Sequence, residues 1–196
     1  MKKLFAVLLF LPIVALSQKK PYPFPFEKKD QFISFQHGFP NTIKNSLESF
    51  FGFDQTNKKS IGPVSIAYEY HIKPEFSIGI NLSYASYSAD YKDVFGFSAA
   101  FTGKIRNTAL MIHSIKYFQN ESKYLIYAKG NVGLNLWSGE YKSANGDEYK
   151  NFNAPTPVAY NAMVGVKYGL TSSIYPYFEA GYGKYVVAAG ISFKLK

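Results

Sequence analysis

This 196-residue chain contains three histidines and no cysteine, so a histidine paired with a serine and an acidic residue is the first catalytic arrangement to look for. A serine hydrolase needs a base within hydrogen-bond reach of its nucleophile. His113 and Ser114 are adjacent in the stretch IHSIK, so in a regular strand they point to opposite faces. His37 and His71 have no serine and acid at a useful spacing. The sequence therefore predicts no catalytic residues, and we expect a protein that is not an enzyme.

Metal and cofactor motifs are also missing from the sequence. The NGDE segment brings Asp147 and Glu148 together, but the ligand spacing of an EF-hand is absent, which favours a solvated turn over a Ca²⁺ site. There is no P-loop, no dinucleotide-binding glycine motif and no cluster of histidine and cysteine. We therefore expect neither a metal nor a cofactor.

Period-two alternation is the dominant pattern of the chain from residue 31 onward. In FSIGINLSYAS, residues 76–86, large apolar side chains alternate with serine, glycine, asparagine and alanine. The pattern recurs in VSIAYEYHI, YLIYAKGNVGLNL, VAYNAMVGVKY, IYPYFEAGYGK and VVAAGISFKLK, with no helix-period segment between them. It is blurred between Ile105 and Phe118, where a β-bulge near His113 would restore it. With a less regular first strand at about residues 32–38, the sequence predicts eight strands.

The predicted connections alternate in length. Residues 39–60, 87–104 and 137–156 form long joins, whereas residues 73–75, 119–122 and 170–173 form short ones, and a tight hairpin lies near Gly183. This asymmetry is typical of an up-and-down barrel in an outer membrane, with short periplasmic turns and longer extracellular loops.

The sidedness of the strands separates a soluble barrel from a membrane barrel. A soluble barrel would turn Ile80 and Val164 inward, whereas a membrane barrel would turn them towards lipid. The opposite faces carry mostly serine, glycine, alanine and asparagine, which suit the narrow interior of an eight-stranded barrel. The sequence therefore predicts an all-β, eight-stranded antiparallel up-and-down transmembrane β-barrel with its apolar faces outward.

Charged residues follow the same division. A lysine on the lipid face at mid-membrane would cost about 2–4 kcal/mol, and the charges fall instead on the polar sides of their strands. We predict that they form ion pairs in the lumen with a structural role; a proton or ion path is the alternative. The predicted lumenal network consists of Glu69, Lys129, Asn131, Lys167 and Glu179.

Aromatic residues are expected to form two girdles at the membrane interfaces. The predicted girdle near the short turns consists of Phe76, Tyr117, Phe118, Tyr124, Tyr168 and Tyr175. The predicted girdle near the long loops consists of Tyr84, Tyr87, Trp137, Tyr160 and Tyr182.

The carboxyl end carries the sharpest local motif. In GISFKLK, Gly190, Phe193 and Leu195 match the Gly-x-x-apolar-x-apolar insertion signal of outer-membrane barrels. Together with the strand pattern over residues 31–196, this motif makes the chain resemble the small outer-membrane β-barrels of the OmpA/OmpX type, often described as porin-like. The resemblance implies recognition by the barrel-assembly machinery during insertion. It also implies outer-membrane lipids and lipopolysaccharide as neighbours, and a monomer.

The first 30 residues have a different composition from the barrel segment. Residues 1–17, MKKLFAVLLFLPIVALS, combine a basic start with an apolar run of about 13 residues, which predicts a secretory signal peptide; an uncleaved anchor is the alternative. Residues 18–30 contain Pro21, Pro23 and Pro25 and predict an extended periplasmic lead-in. The formal charge of +9 comes from scattered lysines, so no nucleic-acid partner is expected.

These inferences predict a protein of the Gram-negative cell outer membrane with a packed lumen. We expect a structural or adhesion role through its extracellular loops, with an unknown ligand. A narrow porin-like channel is the alternative. A lipid A-modifying barrel enzyme is less favoured, because barrel deacylases place histidine and serine two residues apart on one strand face.

Overall fold

The computed structural model describes residues 25–42, 53–93, 101–119, 123–143, 148–149 and 156–195. The described elements are β1 (Gln31–Phe39), β2 (Phe53–Lys73), β3 (Phe76–Asp93), β4 (Phe101–Gln119), β5 (Tyr124–Ser143), β6 (Glu148–Tyr149), β7 (Val158–Tyr168), β8 (Ile174–Gly183) and β9 (Val187–Leu195). Within these residues, the structure contains no helix with the length and apolar character needed to cross a membrane.

The strands close into a single antiparallel barrel. The order around the ring is β1, β2, β3, β4, β5, β7, β8 and β9, and β9 pairs back onto β1. The two-residue strand β6 pairs only with β5 and stands outside this ring. Consecutive barrel strands are neighbours throughout, so the predicted eight-stranded up-and-down architecture is confirmed.

Strand length divides the barrel into two halves. Strands β2, β3, β4 and β5 have 21, 18, 19 and 20 residues, whereas β1, β7, β8 and β9 have 9, 11, 10 and 9. A tilted strand needs about 9–11 residues to cross a membrane. The four long strands therefore continue well beyond one rim. We call this part the projecting sheet; it comprises residues 53–61, 86–93, 101–106 and 138–143.

The projecting sheet corrects the predicted long joins, because much of each predicted loop is strand. Along β3, Tyr84 is on the outer face and Ser86 follows it there, while Tyr87 and Tyr91 are buried on the inner face. The apolar residues thus change sides at the rim without any break in pairing to β4. Once the strand leaves hydrocarbon, its outer face meets water and its inner face becomes the core. Because the apolar positions move from the outer face to the inner face within one strand, the alternation breaks in the sequence, and the upper part of each long strand resembles a loop there.

The predicted bulge near His113 is wrong. Strand β4 pairs with β3 and β5 in unbroken register. The register shifts occur instead along β2, between Thr56 and Lys59, between Ile61 and Val64 and between His71 and Lys73. The alternation was blurred because Ile115 and Tyr117 are large side chains that point into the lumen.

The aromatic girdles are only partly as predicted. Tyr124, Tyr160 and Tyr182 lie exposed on the outer wall near the rims. Four of the predicted girdle residues belong to the interior instead, since their strand positions face inward: Tyr87, Tyr117, Trp137 and Tyr175.

Candidate functional site: the lumen from base to rim

The base of the lumen is organised around the carboxylate of Glu69 on β2. Ser77 and Tyr117 each donate a hydroxyl hydrogen bond to its Oε1 at 2.6 Å, and Lys167 Nζ donates to its Oε2 at 2.9 Å. His71 Nε2 lies 3.1 Å from Oε1. All five side chains are buried. The carboxylate is therefore surrounded by donors on both oxygens, as a charge removed from water requires.

The ion pair between Glu69 and Lys167 spans the lumen from wall to wall. Strands β2 and β7 are four positions apart in either direction around the eight-stranded ring, so they face each other across the barrel. A contact of 2.9 Å between side chains from opposite walls bridges the lumen at this level.

An aromatic floor surrounds this bridge and extends below it. The ring of Phe26, from the segment that precedes β1, is 1% exposed. It lies 4.8 Å from His71 and 5.3 Å from Tyr117, with edge-on geometry. The Lys167 ammonium lies 5.2–6.0 Å from the centroids of five aromatic rings: Phe26, Phe32, Tyr117, Tyr127 and Tyr177. Cation–π attraction thus adds to the ion pair.

Backbone hydrogen bonds fix the segment that carries Phe26. Lys29 N donates to His71 O at 2.8 Å, and His71 N donates to Asp30 O at 2.9 Å. The Asp30 carboxylate lies 2.6 Å from Lys194 Nζ on the last strand. Residues 25–30 therefore form a plug across the end of the barrel. Sequence reasoning placed these residues in the lead-in and gave no indication of the plug.

A second ion pair lies above the first. Lys129 Nζ on β5 is 3.0 Å from Glu179 Oε1 on β8, and Tyr127 OH donates to the same oxygen at 2.9 Å. Both charged side chains are almost completely buried. The structure thus brings together four of the five residues of the predicted network, as two pairs and not as one cluster.

Asn131, the fifth residue, lies in a layer with little hydrogen bonding. It faces the lumen between His113 and Asn161, its cross-strand neighbours on β4 and β7. Both side-chain amide atoms of Asn131 and both ring nitrogens of His113 are buried without a hydrogen-bond partner among the described residues. This layer separates the ion pairs from the outer rim.

The outer rim contains a third lysine in a different setting. Lys184 lies in the turn between β8 and β9, outside the spanning strands, and its Nζ donates to Asn107 Oδ1 on β4. No carboxylate pairs with this ammonium in the described part of the chain. Burial lowers the pKa of Lys184 to about 8, because desolvation disfavours the charged form.

A cavity of about 180 Å³ opens beside Lys184. It forms where the short strands β7 and β8 end while β4 and β5 continue upward. Its walls include Asn107, Asn135, Trp137, Ala159 and Tyr160. Asn107 Nδ2 donates to Asn135 Oδ1 at 3.2 Å, and Asn135 Nδ2 donates to Val158 O at 2.9 Å, so these amides are held in fixed orientations.

The other residues considered from the sequence do not form a site. His113 faces the lumen and Ser114 faces outward, so they do not meet. Asp147 lies outside the described residues, as do residues 1–24. In the described ranges, no group of three or more His, Asp or Glu residues is arranged to hold a metal.

The residues of the predicted insertion signal all lie in β9. Gly190 faces the lumen, and an added Cβ would lie 2.5 Å from Tyr177 Cζ and from Phe35 O, so only glycine fits there. Phe193 packs edge-on against Phe35 at 6.4 Å, and Leu195 pairs with Gln31. Recognition of this motif by an assembly machinery stays a prediction.

The polarity of the wall decides the environment of the barrel. Ile80 is 54% exposed and Val164 is 55% exposed on the outer surface, whereas Asn81 and Lys167 are buried in the lumen. Large apolar side chains cover the outer wall on strand after strand, and a surface of this kind requires an apolar solvent. The chain is a transmembrane β-barrel.

Comparison with known proteins gives structural similarities only. No protein-family model and no curated protein matches the sequence. The N-terminal β-barrel domain of OprF from Pseudomonas aeruginosa is similar with a TM-score of 0.45 and 12% identity, covering 87% of this chain and 100% of that one. Ail, the attachment invasion locus protein of Yersinia pestis, gives 0.41 and 11%, covering 85% and 96%. A de novo designed transmembrane β-barrel gives 0.47 and 11%, covering 87% and 98%. The fold assignment rests on the strand order and on the polarity of the wall.

Sequence reasoning missed several side chains that complete the lumen. Tyr117, Tyr127 and Ser77 hold the two carboxylates, and Phe26 closes the base. Tyr127 had a visible signal, because it shares the inward side of β5 with Lys129. Phe26 had none, since it lies outside every alternating segment.

Proposed function

We propose that this protein is a non-conducting barrel of the outer membrane. Its function would lie in the projecting sheet and adjoining loops on the cell exterior. The observation that carries the proposal is the bridge from Glu69 to Lys167, which joins opposite walls at 2.9 Å. The Phe26 plug lies directly beneath this bridge. A solute crossing the barrel would have to break a buried ion pair and displace the plug, so the lumen acts as a structural core.

The direction of insertion follows from the two rims. The short turns, the start of β1 and the end of β9 share one rim, and the projecting sheet leaves the other. Outer-membrane barrels place short turns in the periplasm and long connections outside. On this basis the start of β1 and the end of β9 face the periplasm, and the projecting sheet stands on the cell exterior, where an adhesion role requires it.

The exposed face of the projecting sheet suits water and polar partners. Arg106 pairs with Glu140 at 3.0 Å, and the Asp90 carboxylate accepts hydrogen bonds from Asn57 at 2.8 Å and Thr102 at 2.7 Å. This charged outer face begins directly above the apolar wall. Contact with headgroups, lipopolysaccharide sugars or another cell surface would therefore be made by the projecting sheet.

Membrane fractionation combined with heat modifiability tests the location. The mature protein should appear in the outer-membrane fraction and should migrate differently on a gel before and after boiling, because a closed barrel resists detergent. Recovery as a folded monomer in detergent-free buffer would refute a membrane location.

Planar bilayer recordings test the closed lumen. Wild-type protein should give no resolved single-channel current, because the bridge and the plug block the path. Steady channels in wild-type protein would favour the narrow-pore alternative.

We also propose that the protein is not an enzyme. The separation of His113 and Ser114 onto opposite wall faces supports this, since neither can activate the other. Expression in a host with intact lipid A should leave the lipid A mass spectrum unchanged. A new lipid A species that depends on the protein would overturn this part of the proposal.

A further inference from the structure

We propose that the cavity at the outer rim binds a small hydroxylated acid, with the carboxylate or phosphate of the ligand against Lys184. The site goes beyond the non-conducting barrel described above. Its position on the cell exterior depends on the proposed direction of insertion, but its chemistry does not.

The ammonium of Lys184 provides the charge for recognition. An ammonium carries three donors, and among the described residues only Asn107 Oδ1 accepts from this one. A partly buried cation without a counter-ion is unfavourable unless a partner of opposite charge joins it. The other two lumenal lysines have such partners, at 3.0 Å from Lys129 and 2.9 Å from Lys167. Lys184 is therefore the lumenal lysine that can accept an external anion.

The walls of the cavity provide the remaining recognition elements. The amides of Asn107 and Asn135 are fixed by their mutual hydrogen bond. Both hydrogens of Asn135 Nδ2 are donated to Thr156 O and Val158 O, so the second hydrogen of Asn107 Nδ2 and a lone pair of Asn135 Oδ1 remain for a ligand hydroxyl. Trp137 contributes aromatic surface at the same cavity. A cation, amides and an aromatic ring together match a ligand that carries an acid, hydroxyl groups and an apolar ring face.

The size of the cavity limits the ligand to a single small unit. A volume of about 180 Å³ is below the roughly 300–1,000 Å³ of pockets that hold drug-sized molecules. The ligand class is therefore a monosaccharide-sized acid, such as a sugar acid or a sugar phosphate, and not an oligosaccharide chain or a lipid.

Calorimetry with three matched sugars tests the ligand class. Glucuronate, glucose 6-phosphate and glucose are titrated into the folded full-length mature protein in a non-ionic polyoxyethylene detergent, which supplies neither phosphate nor sugar. At least one of the two acids should bind, and glucose should bind at least about tenfold more weakly, because a hydrogen bond to a charged group is lost. The preferred acid distinguishes a carboxylate site from a phosphate site. Absence of binding by both acids, or equal binding of glucose, would overturn the proposal.

A lysine variant and its control locate the site. Lys184→Met should weaken binding of the preferred acid by roughly 10- to 100-fold. Lys116→Met is the matched control, because Lys116 is an exposed lysine at the opposite rim, 3.8 Å from Glu75, and should bind as the wild type does. Retained affinity in a Lys184→Met protein that keeps its heat-modifiable gel shift would refute the role of Lys184.

A measurement on the wild type covers the case in which the variant does not fold. Amide chemical shifts of the wild-type barrel should change most at Asn107, Tyr160 and Lys184 when the acid is added. Changes confined to the projecting sheet or spread over the outer wall would place binding elsewhere. The barrel could then remain closed and membrane-bound, so failure of this inference is distinguishable from failure of the proposed function.

Discussion

Two lysines at opposite ends of the lumen show how the same side chain can serve different purposes. At the base, Lys167 lies 2.9 Å from Glu69 Oε2 and 2.7 Å from Tyr117 OH, and aromatic rings enclose it. At the outer rim, Lys184 contacts the oxygen of Asn107 beside an open cavity. The charge of Lys167 is neutralised by Glu69 of the same chain, whereas the charge of Lys184 is available to an external anion.

Charge alone does not identify a functional residue in this barrel. A buried lysine with a complete set of partners is a structural component, since its removal leaves a carboxylate without compensation. A buried lysine without a carboxylate adds a desolvation cost, and such a cost suggests a role in binding.

Lys167→Met should destabilise the barrel most, by about 3–5 kcal/mol, because Glu69 would remain buried without its cation. The free energy of unfolding is measured by urea titration in lipid vesicles. The control is Lys116→Met, which removes an exposed lysine and should cost less than about 1 kcal/mol. Equal small losses in both variants would show that the bridge at the base is not a structural element.

Phe26→Ala should cost about 3 kcal/mol, near the lower end for a buried phenylalanine, since it removes the ring that packs on His71 and Tyr117. The same urea titration measures the loss. The exposed Phe35, on the outer wall of β1, gives the matched control as Phe35→Ala in the same vesicles, where a smaller loss is expected because lipid fills the vacated space. Unchanged stability in Phe26→Ala would show that residues 25–30 do not close the barrel.

Lys184→Met should change stability by less than about 1 kcal/mol, in contrast to the same substitution at position 167. The physical reason is that Lys184 has no buried carboxylate that its removal would leave unpaired. The measurement is again the unfolding free energy in vesicles. A loss of stability as large as that of Lys167→Met would show that Lys184 is also a structural residue.

Arg106→Ala should have the smallest effect, below about 1 kcal/mol, although its contact with Glu140 is as short as that of the buried pair Lys129–Glu179, at 3.0 Å. The two side chains are 36% and 44% exposed, so water screens their attraction. A double-mutant cycle with Glu140→Ala measures the coupling energy directly. A coupling energy similar to that of the lumenal pairs would contradict the dependence on burial.

Several features of the fold were predictable from the sequence, and the failures share one cause. Alternation identified the spanning strands because each outward residue meets lipid and each inward residue meets a narrow polar lumen. The pattern changed its phase at Tyr84 and Tyr87, where the membrane ends, and the strand was therefore interpreted as a loop. At Tyr117, an aromatic ring occupied an inward position and suggested a bulge that does not exist.

The candidate sites were less accessible to sequence reasoning. The alternation of side chains along each strand predicts the inward positions of four charged residues: Glu69, Lys129, Lys167 and Glu179. It does not predict their pairing, because the pairing depends on which strands oppose each other across the lumen. The rim cavity exists because β5 continues beyond the rim whereas β7 begins at the rim. No local sequence pattern indicates this difference in strand length.

By itself, the sequence determined which face of each strand meets lipid. Successive residues of a barrel strand point alternately to the lipid and to the lumen, so the apolar residues recur at every second position. The closure of the ring brought Glu69 and Lys167 together across the lumen, and the tertiary structure also placed Phe26 beneath them. Contacts between residues almost one hundred positions apart are set by strand order and stagger. For that reason only the folded barrel decided which lysine is neutralised and which remains open to a ligand.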